Sequence, residues 1–318
     1  MKNYDIVIVG GGISGMTAAL SIAKGGIRKI LIIERQKMIG GLLNQCIHNG
    51  FGEKLLGSKV TGPEYTNIIE NELKEYNVEI KKDTEVIRIT KDKDIHYTNS
   101  KEGIVEVHAN AILMATGCRE KFTGNVNIPI NKYTGIYTIG SAQKIINSEG
   151  YLPGKNPIVI AKSKWAAIVA RRLVIEGANV KALIINEFGD FKYDKEVEDI
   201  IEGFDIPVIL NASVVDIYGN DRIEGIKINN NGEISSISCD SLIMSVNYYP
   251  ETELLRNIDV EIDDNTLSPK VHDYMTNIPG IFACGNLIYG LEALIQEEID
   301  GIEAGNRVLD YIKNTILQ

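Results

Sequence analysis

The sequence predicts an α/β fold built on two parallel-sheet units, and two observations carry that expectation. Residues 6–9, Ile-Val-Ile-Val, form an apolar β-branched run that enters Gly10, Gly12 and Gly15, followed by a helical stretch and a second apolar run, Ile30–Ile33. The same strand, turn, helix, strand spacing returns at residues 157–185.

Each part of the first unit has a physical job. Gly10 allows a tight turn, Gly12 lets a pyrophosphate approach the backbone, and Gly15 lets helix and strand pack closely. Residues 16–24 read as a helix with Ala18 and Ala19 on its packing side, and Gly25 and Gly26 stop it. The helix start offers free N–H groups and a positive dipole end to phosphates. Glu34 ends the second strand, 24 residues after the first glycine, where a carboxylate accepts hydrogen bonds from ribose hydroxyls. Strand, glycines, helix, strand and acid in that order form a Rossmann-like dinucleotide-binding fingerprint.

A length of 318 residues suits two domains, and 44% hydrophobic with 24% charged residues suits a soluble globular protein. A net charge of −10 argues against nucleic-acid binding. The opening MKNYDIVIV begins a strand at once, which leaves no room for a signal peptide, and no apolar run is long enough to span a bilayer. Cys46, Cys118, Cys239 and Cys284 are scattered and include no C-x-x-C. That spacing fits a reducing, cytoplasmic location and argues against a metal site or a redox dithiol.

Residues 35–52 are too glycine-rich for one regular element. Gly62-Pro63 opens a helix over residues 64–76, with Tyr65, Ile68, Ile69 and Leu73 at helical spacing. Residues 78–80 and 84–90 read as strands, 95–98 with 104–109 as a hairpin, and 112–115 as a separate buried strand before Thr116-Gly117. Beyond the second unit, residues 193–203 read as a polar helix, and 208–210, 214–218, 223–229, 234–239 and 242–246 as strands.

These motifs resemble the flavoproteins with two dinucleotide-binding domains, the pyridine nucleotide-disulfide oxidoreductases of the thioredoxin reductase and glutathione reductase group. GGGISG at 10–15, Glu34, Ala115-Thr116-Gly117 and GIFACGN at 280–286 carry the likeness. NQCIHNGFG at 44–52, TGPEY at 61–65 and EGYLPG at 149–154 are similar to small FAD-dependent oxidoreductases associated with glycerol-3-phosphate dehydrogenase-like flavoproteins. More distantly, they are similar to subunits of amino- or imino-acid dehydrogenase complexes.

The resemblance implies two Rossmann-like (three-layer ββα) domains, the second inserted in the first. The FAD domain would span residues 1–120 and 246–318, and an NAD(P)H-binding-like domain residues 121–245. FAD would be held non-covalently by Gly10, Gly12, Ile13, Ser14, Gly15, Glu34, Arg35, Gly41, Gln45, Val86, Ala115, Thr116, Gly117, Gly285, Asn286 and Leu294. Position 286 is usually aspartate in the family; an amide still bonds a hydroxyl, without the charge. A helix over residues 291–312 would present its first turn, near Leu294, to the flavin ring, where its dipole favours an anionic reduced form.

The turn of the second unit reads Ala161-Lys162-Ser163-Lys164-Trp165-Ala166, so all three glycine positions are filled. A Cβ at Ala161 hinders a tight turn, and the Ser163 side chain lies where a pyrophosphate would approach. The position matching Glu34 is Ile185, with Glu187 two residues late. The favoured expectation is weak or lost NAD(P)H use. In the competing reading, Lys162 and Lys164 hold the phosphates by charge.

Cys46 and His48 are the candidate catalytic side chains. Cys46 would form a flavin contact or a mixed disulfide, against a plain packing role, and His48 would donate a proton near the flavin, against a satisfied structural histidine. Cys118, Cys239 and Cys284 read as packing residues, and Trp165 as a cap of the second turn, a docking mark or a packing residue. The expected function is an FAD-dependent oxidoreductase passing electrons to or from a protein redox partner or companion dehydrogenase subunit. The alternatives are a self-sufficient NAD(P)H-dependent reductase of a disulfide, quinone or oxygen, and a non-catalytic flavin-bearing scaffold. A homo-oligomer stays open.

Overall fold

The structure, a computed structural model, describes residues 2–121, 133–185, 194–289 and 297–316. Along the chain run β1 (Lys2–Val9), α1 (Ile13–Lys24), β2 (Ile30–Ile33), α2 (Gly62–Glu75), β3 (Glu79–Lys81), β4 (Glu85–Ile89), β5 (Asp94–Asn99) and β6 (Gly103–Met114). Then come β7 (Ile136–Thr138), α3 (Ile139–Asn147), β8 (Pro157–Ala161), α4 (Lys164–Ile175), β9 (Ala182–Ile185), α5 (Lys195–Gly203) and β10 (Val208–Leu210). The last elements are β11 (Ala212–Gly219), β12 (Ile223–Asn230), β13 (Glu233–Ser238), β14 (Ser241–Met244), β15 (Ile281–Ala283) and α6 (Glu297–Ile316). The chain divides into two compact units: Met1–Arg119 with Tyr248–Gln318, and Glu120–Asn247.

The first unit is a seven-stranded sheet in the order β3-β2-β1-β6-β5-β4, with β15 also paired to β6. The strands β1, β2 and β15 and the C-terminal half of β6 run parallel, and Val9 pairs with both Ile33 and Met114, while Ala283 pairs with Met114. Their carboxyl ends therefore finish side by side, the place where open α/β sheets bind ligands. Alternation sends Ile6 and Ile8 to one face, against Met16 and Leu20 of α1, and Val7 and Val9 to the other, with Leu31 and Ile112. α2 starts with a capping box between Thr61 and Glu64.

One sequence expectation changes here. Residues 104–109 and 112–115 do not form two strands but one, β6. Asn110 lies between the runs without breaking their phase: Val107, Ala109 and Ala111 are all buried, so the period of two runs through it.

The second unit has a five-stranded parallel sheet, β7-β14-β8-β9-β10, and a three-stranded antiparallel sheet, β11-β12-β13. α3, capped by Thr138, is a helix for which the sequence offers no clear signal. The expected helix over residues 193–203 begins at Lys195, with the Asp194 side chain accepting from the Val197 N–H. Among the described residues no helix is long and apolar enough to cross a membrane.

Candidate functional site

The first turn separates what the chain needs from what a ligand needs. Gly10 has φ +108°, and a Cβ there would lie 2.3 Å from the Ala115 carbonyl oxygen. A Cβ on Gly15 would lie 2.1 Å from the Gly10 oxygen. Both glycines are demanded by the protein's own packing. Gly12 is different: its φ is −73°, open to any L-residue, and a Cβ on it would meet no atom within 4 Å. Nothing in the described chain requires glycine there, so its bare backbone fits the approach of an outside group.

Gly12 is also the N-cap of α1, with no side-chain cap and no acid in the first turn, which includes Ile13 and Ser14. The positive dipole end of such a helix start suits an anion. Gly41 lies alongside, its absent Cβ 3.3 Å from the Gly12 Cα, and the Gly40 N–H donates to the Gly11 carbonyl at 2.6 Å.

Glu34 is 6% exposed, and its carboxylate accepts the Gly11 N–H at 2.7 Å and the Gln36 N–H at 2.8 Å. A carboxylate has about four acceptor positions, so capacity remains for hydroxyls. The Thr84 N–H donates to the Glu34 carbonyl at 3.0 Å, which brings the start of β4, and Val86 on it, to this end of the sheet. Arg35 pairs with Glu251 at 3.4 Å. Glu251 in turn accepts the Thr116 hydroxyl on its carbonyl at 3.0 Å, and its N–H donates to the Gly117 carbonyl at 3.0 Å. Glu251, which ties three predicted residues together, is not legible in the sequence as a site residue, because those partners lie far from it along the chain.

The Gly41–Gln45 turn is a 3₁₀ helix that carries Gln45 and leads to Cys46. Cys46 is 4% exposed and packs in the apolar cluster that includes Leu43, Tyr65 and Ile69. That is the packing environment weighed against its redox role. The His48 Nδ1 lies 3.1 Å from the Asn49 carbonyl oxygen, and its ring sits 5.5 Å from that of Phe51.

At the end of β15, Gly285 has φ +70°, and a Cβ on it would lie 2.5 Å from the Ser14 hydroxyl in the first turn of α1. Asn286 is 6% exposed, and its Oδ1 has no hydrogen-bond partner among the described residues. A buried acceptor left unpaired costs about 1–3 kcal/mol unless something else completes it. The hydroxyl-rich chain of a flavin nucleotide is chemically suited to do so. The Gly285 N–H donates to Asp300 at 2.5 Å. Burial pushes the Asp300 carboxyl up, the Gly285 N–H and Tyr274 pull it back, Glu303 pushes it further, and the net direction is upward. Sequence reasoning missed Asp300, one of five acids in a polar helix. Leu294 lies outside the described residues.

In the second unit the turn between β8 and α4 keeps the same spacing. The Ala115 N–H donates to the Val9 carbonyl in the first unit, and the Ser245 N–H donates to the Ile160 carbonyl in the second, which aligns Ala161 with Gly10 and Ser163 with Gly12. Ala161 stays in extended strand backbone where Gly10 takes positive φ. The turn thus accommodates a Cβ by being built differently, and the hindrance expected at Ala161 does not arise. Ser163 is the N-cap of α4, without a side-chain cap bond, and no acid occupies the first turn. Lys164 pairs with Glu196 at 3.3 Å and lies 6.0 Å from the Trp165 ring centroid. Ser245 is 8% exposed with an Oγ unpartnered among the described residues, a second polar group the sequence did not reveal. Glu187 lies outside the described residues.

Among the described residues no group of three or more His, Cys, Asp or Glu side chains is arranged to hold a metal ion. A sequence profile of the pyridine nucleotide-disulphide oxidoreductases matches residues 4–304. The chain is 24% identical over 329 aligned residues to a protein named ferredoxin--NADP reductase from Picrophilus torridus, covering 99% of this chain and 95% of that one. It is 26% identical over 328 residues to a protein named NADH dehydrogenase from Ferdinandcohnia aciditolerans, spanning 98% of this chain but only 58% of that protein. Among solved structures, the thioredoxin reductase of T. acidophilum superposes with a TM-score of 0.78 at 23% identity, covering 100% of both chains. These matches carry the broad family and the fold; they do not reach the narrower likeness to glycerol-3-phosphate dehydrogenase-associated flavoproteins.

Proposed function

Because this chain belongs to the pyridine nucleotide-disulphide oxidoreductase family and is an oxidoreductase, we propose that it is an FAD-dependent enzyme that takes electrons from a nicotinamide nucleotide and passes them to an acceptor reached directly from the flavin. The observation that carries the flavin half is the open space at Gly12, beside two glycines that packing already explains. In this reading the α1 N-terminus and Gly12 hold the pyrophosphate, Glu34 the adenosine ribose, and Asn286 the ribityl hydroxyls. FAD, when bound, supplies the electron-carrying ring.

The expectation that nicotinamide use is weak or lost is set aside. A relative matched over 95% of its length is named for NADP, and the α4 N-terminus is uncapped by acids, with Lys162 and Lys164 beside it. Lysine charge and helix N–H groups there would serve the phosphates. The acceptor side follows from the thiols. The chain has four cysteines and no C-x-x-C, and Cys46 is buried in apolar packing, so no dithiol relay is built near the flavin. A quinone, oxygen or a protein carrier that accepts electrons from the flavin itself fits better than a disulfide substrate.

The test is an anaerobic visible-spectrum titration of the FAD-loaded protein with NADPH and with NADH. Bleaching of the oxidised flavin band by at least one of them is expected. A flavin that stays oxidised with both, yet bleaches with dithionite, would return the account to a protein donor.

A further inference from the structure

We propose that Asp300 is a positioning residue for the flavin: its carboxyl group fixes the Gly285 amide, and through it the Asn286 side chain, and takes up a proton when the cofactor binds. The inference rests on the flavin reading above.

The geometry comes first. Asp300 sits on α6, is 6% exposed, and accepts the Gly285 N–H at 2.5 Å. The neighbouring Gly301 has no room for a side chain, since a Cβ there would lie 2.4 Å from the Ser14 carbonyl and 2.1 Å from the Thr17 hydroxyl. Gly285 itself packs on Ser14. The carboxyl is therefore held at the first turn of α1, the same turn whose positive dipole end faces the proposed pyrophosphate. Directly after Gly285 stands Asn286, with its buried, unpartnered Oδ1. An amide oxygen kept unpaired in the free protein needs a fixed backbone if it is to meet a hydroxyl, and the Asp300 bond to Gly285 is what fixes it.

The groups around Asp300 are one carboxylate, two neutral phenols and a thiol. Glu303 faces it from the next turn of α6, Tyr274 from the turn before β15, and Tyr289 from the end of the short helix Asn286–Tyr289, with the Cys284 thiol near Tyr289 at the strand end. The Tyr274 hydroxyl donates to Glu303 at 3.1 Å. Tyr274 is placed by a turn in which Asp273 and Tyr274 both take positive φ, 50° and 67°. The first turn of α1 adds no acid. Arg307 is spent on Asp273, at 3.5 Å. Among the described residues, none of the groups that act on the Asp300 carboxyl is a cation. A pyrophosphate arriving at α1 adds negative charge beside a buried carboxyl, and a proton is the compensating charge at hand. Its affinity for that proton rises on binding, so flavin binds more tightly at low pH and more weakly as pH climbs between the free and bound values.

The experiment is FAD binding to the full-length apoprotein, followed by quenching of flavin fluorescence from mildly acidic to mildly alkaline pH, for wild type, Asp300→Asn and Asp300→Ala. Thermal melts of each apoprotein check the fold. In wild type the Kd is expected to rise with pH, by up to about tenfold per unit at the steepest point. Asp300→Asn keeps an acceptor for the Gly285 N–H and is expected to bind with a Kd flat in pH. Asp300→Ala also lacks the titrating carboxyl and leaves that N–H unpaired, so its Kd is expected to be equally flat in pH and about tenfold weaker than that of Asp300→Asn. A pH-independent wild type, an Asp300→Asn variant that keeps the wild-type slope, or an Asp300→Ala variant with wild-type affinity would overturn the proposal. Wild-type protein that binds no FAD at any pH would overturn the flavin reading itself, a result these other outcomes do not resemble.

Discussion

The two strand–turn–helix loops share spacing and differ in what fills them. The first uses glycine three times, but for different reasons: Gly10 and Gly15 answer to backbone atoms at 2.3 and 2.1 Å, while Gly12 answers to nothing among the described residues. The second reaches the same helix start with Ala161, Ser163 and Ala166, by keeping Ala161 in extended strand backbone. A fingerprint is thus two signals superposed. Part of it records how tightly a strand and helix pack, and part records what must come close. Losing the packing glycines changes the turn. Only the middle position speaks directly about a ligand, and there the second loop carries a serine.

The largest effect that would break this comparison is on stability. Gly15→Ala forces a Cβ onto the Gly10 carbonyl, and overpacking against backbone is expected to cost about 3 kcal/mol. The reciprocal Ala166→Gly change, in a buried helical position of the second unit, is expected to cost about 1 kcal/mol. Urea unfolding of the two variants checks it; equal losses would mean the two loops are packed alike. A smaller effect sharpens the ligand half. Ser163→Gly clears the position that matches Gly12 and is expected to lower the KM for the nicotinamide nucleotide about threefold, which is about 0.6 kcal/mol. A raised KM in steady-state kinetics would mean that the Ser163 hydroxyl is itself a phosphate ligand.

The smallest effect concerns the first sheet alone. Burial by itself would push Glu79 up, but hydrogen bonds from Lys2, at 2.6 Å, and Tyr4, at 2.9 Å, outweigh it and hold its carboxyl below the usual value. A depressed carboxylate contributes stability that is present above its unfolded pKa and lost as pH falls through the acidic range. With the Glu79 side chain 35% exposed and that of Lys2 61% exposed, solvent screening keeps the contribution to about 0.5 kcal/mol. Glu79→Gln should flatten the acid side of the stability profile of the first unit by that amount, read from urea midpoints. An unchanged profile would make the pair decorative.

Much of this was legible in the residues. The second half of β1 and all of β2, β8 and β9 are short runs rich in apolar residues and largely buried on both sides, and such runs announce themselves. The first glycine turn and Glu34 were legible because steric demands leave few residue choices. β6 reads as two strands because a polar residue inside a run looks like a break, although phase matters more than composition. The helix at residues 139–147 escapes notice because its polar exposed face hides the pattern of Ile139, Ala142 and Ile146. Glu251 and Asp300 were invisible for a different reason. Their roles come from partners far away in sequence, Arg35 and Thr116 for one and Gly285 for the other, and no local pattern encodes such a meeting.

The central claim is that the bare backbone at Gly12 exists for a flavin nucleotide and not for the fold. An equilibrium FAD titration of Gly12→Val beside wild type, with thermal melts of both apoproteins, tests it most directly. The account predicts closely similar melts, because a Cβ there meets no atom within 4 Å among the described residues, and an FAD affinity lower by about 100-fold, or about 3 kcal/mol. Undiminished flavin binding by the valine variant would contradict it.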